Sequence, residues 1–90
     1  MQKYAIEFLG TLFLAFVVLA TGNYLAIGAA LVVGLLLANG AYNPAAYNPA
    51  VAFSLYLNGT LTASTTGGYI VAELLGGLAA YGLYKLVYKR

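Results

Sequence analysis

The chain has 90 residues, of which 63% are hydrophobic and only 7% charged; a soluble domain carries about a quarter charged residues, so an integral, multi-pass membrane protein is expected. The net charge of +2 is small and terminal, which argues against a nucleic-acid partner and places Lys85, Lys89 and Arg90 at a lipid headgroup surface. There is no Cys and no His, so no disulfide, thiol chemistry, cofactor or ordinary transition-metal site is expected, and the two carboxylates, Glu7 and Glu73, lie too far apart in sequence to suggest an enzyme's acid–base pair.

The first apolar segment covers about residues 4–20 and ends at Thr21-Gly22-Asn23. At 1.5 Å per residue, about 20 helical residues cross a core of roughly 30 Å. Lys3 followed by Phe8–Ala20 has the outline of a signal peptide, but Glu7 interrupts the pattern and the cleavage site is poor. A retained span is therefore expected. The second segment, about 24–40, is slightly short and gains length from Asn39-Gly40.

Residues 38–52 read ANGAYNPAAYNPAVA, an Asn-Pro-Ala triplet written twice. Asn caps backbone N–H groups, and Pro suits the first helical turn. A helix starting at Pro44 would hold Pro49 in its interior, at a cost of about 3 kcal/mol. The cap is therefore assigned to Asn48, and Asn43-Pro44 is read as a turn. The apolar run that follows ends at Asn58-Gly59-Thr60, also a glycosylation-type triplet, read here as a turn. A helix over about 49–57 is too short to cross. It is expected to be a re-entrant half-helix, dipping into the membrane where its exposed backbone is buried in protein or lines a water-filled cavity. Plain turn punctuation in a loop is the alternative.

The third segment covers about 68–88 and is opened by Ser64-Thr65-Thr66-Gly67. The fold class expected is thus an all-α membrane protein, a single domain over 1–90, with three transmembrane helices and one short re-entrant half-helix. Small residues recur every four positions at Ala26, Ala30, Gly34 and Ala38, and again at Gly68, Ala72, Gly76 and Ala80. Such ladders let helix backbones approach closely in lipid, although small residues are also simply common there. Tyr4, Tyr24, Tyr69, Tyr84 and Tyr88 fall near span ends, as an interfacial belt requires. Tyr42 and Tyr47 each precede an Asn-Pro; with Asn43 they are candidates for lining a pore, or for packing the loop.

Glu7 and Glu73 lie inside apolar segments, where an unpaired carboxylate costs several kcal/mol. Glu7 is near enough to its span's start for snorkelling to the interface to be an alternative. For Glu73 the expected partners are N–H groups or hydroxyls of the irregular segment, or a Lys or Arg of another copy.

Three blocks, in order, resemble the aquaporin, or major intrinsic protein, family. Glu7-Phe8-Leu9-Gly10-Thr11 resembles its first-helix Glu-Phe-x-Gly-Thr opening. Asn48-Pro49-Ala50-Val51 resembles its Asn-Pro-Ala-Val box, and YIVAELLGG over 69–77 resembles its Tyr-x-x-Ala-Gln-x-x-Gly-Ala pattern. The resemblance implies a pore in which two half-helices meet at midplane, their Asn amides orienting water and their dipoles repelling cations and protons. It would make Asn48 the pore donor, with Pro49 and Ala50 shaping the junction, and Glu7 a support for the loop backbone. The chain departs from the family in three ways. It has three spans rather than six, and its two triplets lie too close to form opposite halves. The extra Ala-Tyr-Asn-Pro-Ala unit enlarges the loop, and a Tyr replaces the usual His. Val51 stands where the family's second half has Arg.

One such chain cannot close an aquaporin pore. The expected partners are the lipid bilayer and a homo-oligomer, an antiparallel dimer or higher, or other membrane subunits. Lys3 on one side and Lys85, Lys89 and Arg90 on the other favour a cytoplasmic C-terminus, but the loops carry no positive charge to fix orientation. The leading reading is a half-channel for water or small neutral solutes. The alternatives are a non-conducting structural protein of a larger membrane or enveloped-particle assembly, and a half-transporter that dimerises in parallel.

Overall fold

A computed structural model describes residues 2–89; the headgroup placement of Arg90 lies outside them. Four helices follow one another: α1 (Gln2–Thr21), α2 (Tyr24–Asn39), α3 (Pro49–Leu57) and α4 (Ala63–Tyr88). α1 and α4 are long and apolar enough to cross a membrane; α2, at 16 residues, is shorter. The long axis measures 41 Å, close to the full thickness of a bilayer with its headgroups.

Local chemistry sets the ends of these helices. Asn23 starts α2 by accepting hydrogen bonds from the Leu25 and Ala26 N–H groups at 2.9 and 3.0 Å. The short link before it makes α1 and α2 antiparallel neighbours. Asn48 caps α3, its side chain accepting from the Ala50 N–H at 2.8 Å, with Pro49 in the first turn. α3 stops at Asn58, and Gly59, at φ +80°, turns the chain back.

α4 starts earlier than the hydropathy pattern suggests. Thr62 is its cap, accepting from the Thr65 N–H at 3.2 Å, and the Thr66 hydroxyl donates to the Thr62 carbonyl at 2.8 Å. The hydroxyl-rich opener 64–67 is thus the first turn of the helix rather than a link before it. α1 and α4 run parallel: Tyr4 meets Tyr69 near one end, and Phe16 meets Tyr88 near the other. Between these points a Cβ on Gly76 would lie 2.6 Å from the Phe8 carbonyl oxygen, so the two backbones touch there.

Polar and apolar residues are distributed inside out relative to a soluble protein. The largest fully buried side chains are Tyr69, Glu7 and Glu73, joined by Thr66, Thr11 and several alanines. Leu and Val side chains cover the outside, among them Leu36, Leu37, Leu74, Leu78 and Leu86. Only 11% of the α1 apolar window and 22% of the α4 window are buried. A core helix of a soluble protein would show the reverse.

Candidate functional site

The site is the segment between α2 and α3, and the group that shapes it is Glu7 of α1. Glu7 is fully buried and does not snorkel to the interface. Its Oε1 accepts from the Tyr47 N–H at 2.8 Å. Its Oε2 accepts from the Ala46 N–H at 3.0 Å and the Tyr42 hydroxyl at 2.7 Å. One carboxylate thereby satisfies two backbone donors that no regular structure would pair. Burial, followed by the Glu7 hydrogen bond, pushes the Tyr42 phenol up from its ordinary range, so Tyr42 remains a donor.

Tyr69 completes this scaffold. Its position near a predicted span end suggested an interfacial belt; instead it is 1% exposed, and its hydroxyl donates to the Pro44 carbonyl at 2.7 Å. The rings of Tyr4 and Tyr42 stand edge-on against it. The turn at Asn43-Pro44, whose peptide bond is cis, is thus tied to α4 as well as leaving α2.

Glu73 is 1% exposed and differs from Glu7: neither of its oxygens closes a hydrogen bond of good geometry. The Asn48 and Tyr47 N–H groups and the Glu7 carboxyl lie within its electrostatic reach. It therefore stands beneath the start of α3, on the side where the helix dipole is positive.

The remaining candidate residues divide into separate places. Asn48, Ala50 and Val51 are exposed, and Pro49 is half-buried. Asn43 is exposed in a groove of about 320 Å³ formed with Val32, Leu35, Leu36 and Pro44. Tyr47 is buried, and its hydroxyl donates to the Gly34 carbonyl. Of the ladders, Ala30, Gly34, Ala38, Ala72, Gly76 and Ala80 are buried, while Ala26 and Gly68 are half-buried. Gly10 and Thr11 shape the site without having been singled out one by one in the sequence, and Tyr69 is singled out there only for an interfacial belt. Gly10 and Thr11 stand in the Glu-Phe-x-Gly-Thr block, the one local signal for them.

An apolar exterior around a hydrogen-bonded polar interior defines a helical membrane protein. The chain is similar to glycerol uptake facilitator protein-like 6 of Lactiplantibacillus plantarum, being 38% identical over 95 aligned positions that cover 94% of the chain and 43% of that relative. The match supports an aquaporin-like half, similar to part of a major intrinsic protein. The chain spans less than half the length of the curated relative it matches. No family-wide sequence profile matches it, and neither does any solved structure.

Proposed function

We propose that the chain is a half-channel that oligomerises to pass water or small neutral solutes. In this reading α1, α2 and α4 span the membrane and α3 is a re-entrant half-helix. Nine residues reach about 14 Å, roughly half the hydrocarbon thickness. The observation that carries the reading is the exposed start of α3. Asn48 uses Oδ1 for the cap, which leaves its amide N–H groups to donate to a solute, and the first-turn N–H groups add the positive end of the dipole. The relative's name refers to glycerol uptake, and a small neutral polyol suits a path that presents donors and no side-chain charge of its own.

In this reading a second copy, inserted upside down, supplies the opposite half of the pore. The test is swelling of reconstituted vesicles in glycerol and in water, with Asn48→Ala beside the wild type. Asn48→Ala is expected to assemble, losing about 1 kcal/mol with the cap, and to lower the flux. Wild-type swelling no faster than empty vesicles would sink the channel reading. Labelling at both termini tests the partner separately, since a single orientation rules out the antiparallel pair.

A further inference from the structure

Tyr47 occupies an unusual place for so large a side chain. Its backbone has φ +58°, the left-handed region that disfavours bulky residues. The Glu7 carboxylate holds its N–H, and its phenol donates to the Gly34 carbonyl. The ring lies in a slot between α1 and α2 that has glycine on both walls. A Cβ on Gly10 would come within 2.2 Å of the ring, and one on Gly34 within 3.0 Å. Both ends of the side chain are therefore pinned, and both helices lack the atoms that would expel it.

The ring also borders two cavities, each open to the surface. One, of about 430 Å³, lies on the α1–α4 side, against Thr11, Leu14, Val18, Gly77 and Tyr81. The other, of about 480 Å³, lies in the α1–α2 groove, against Leu9, Phe13, Val33 and Leu37. Tyr47 lines both. On α1 their linings are offset by about one and a half turns, so a path joining them runs obliquely along the helix. Thr11 adds a buried hydroxyl with no hydrogen-bond partner to the first cavity, a polar foothold in an otherwise apolar wall.

We propose that the Tyr47 ring is the closure between these two cavities and sets the size limit on neutral solutes that pass from one to the other. The inference rests on the channel reading and deepens it: Asn48 supplies donors, and Tyr47 supplies the steric limit. Shortening the side chain joins the cavities into one passage, whereas removing only the hydroxyl leaves the ring in its glycine slot.

The experiment is vesicle swelling with glycerol and with the larger polyol sorbitol, using wild type, Tyr47→Ala, Tyr47→Leu and Tyr47→Phe. Tyr47→Leu covers the case in which Tyr47→Ala fails to fold, because it keeps an apolar filling but loses the ring. The expected result is sorbitol swelling at least about tenfold faster in Tyr47→Ala or Tyr47→Leu than in wild type, with Tyr47→Phe still excluding sorbitol. Wild-type glycerol flux with an unchanged limit in the shortened variants overturns the closure and leaves the channel reading standing. Flux in the shortened variants alone supports the closure and rejects conduction by the wild type. No flux in any folded variant overturns both.

Discussion

Replacing Glu7 with Ala tests whether one buried carboxylate fixes the start of α3. The wild-type side chain accepts three hydrogen bonds, two of them from the backbone N–H groups of Ala46 and Tyr47. A buried donor left without a partner costs about 1–3 kcal/mol, so two of them cost roughly 2–6 kcal/mol. Removing the carboxylate also removes its own desolvation penalty, which offsets part of that loss. The expected net destabilisation is about 3 kcal/mol. Glu7→Gln keeps the shape but leaves a single acceptor oxygen for three donors, and is expected to cost about half as much. The assay is reversible unfolding in mixed micelles together with hydrogen exchange at Ala46 and Tyr47. A local loss of 3 kcal/mol speeds exchange by about 100-fold. Exchange within threefold of wild type, at unchanged stability, would refute the anchoring role and with it the account of how Asn48 is positioned.

Two further substitutions test the close contacts. Gly10→Ala places a methyl group against the pinned Tyr47 ring and is expected to cost about 1–3 kcal/mol. In a Tyr47→Ala background the same change should cost under about 0.5 kcal/mol, and a double-mutant cycle showing no coupling would contradict the slot. Gly76→Ala meets the backbone of α1, which cannot rotate away, so the α1–α4 pair should separate and lose at least about 2 kcal/mol in an unfolding titration. Gly28→Ala, with open space around it, is the control and should be neutral or stabilising by up to about 1 kcal/mol. Equal effects at Gly28 and Gly76 would mean that helix propensity, rather than backbone contact, governs both.

The start of α3 is legible in the sequence because capping is local: Asn48, Pro49 and the Ala50 N–H lie within three residues. The ends of α1 and α2 are legible for the same reason, in Thr21-Gly22-Asn23 and Asn39-Gly40. The start of α4 is less so. Hydropathy marks the apolar part of a helix, whereas the Thr62 cap and the Thr66 back-bond let five polar or small residues join ahead of it. The site itself is mostly illegible, because Glu7 reaches residues 35 to 40 positions away and Tyr69 reaches one 25 positions away. A motif can flag Glu7 and Gly10. It cannot show that the first meets the Tyr47 N–H and the second the Tyr47 ring.

The use made of each carboxylate bears on what a second half has to contribute. Both Glu7 oxygens are occupied by the chain's own loop, and Tyr69 ties the same loop to α4 through Pro44. Asn48 is therefore set in place by contacts internal to one chain. Its exposed amide does not wait on a partner to be positioned; in the proposed channel a partner would add only the opposite wall. A single half then presents its donors whether or not a pore closes around them. Loss of conduction after a change at an interface between copies should leave the exchange protection of Ala46 and Tyr47 intact, whereas loss of conduction through Glu7 should abolish it.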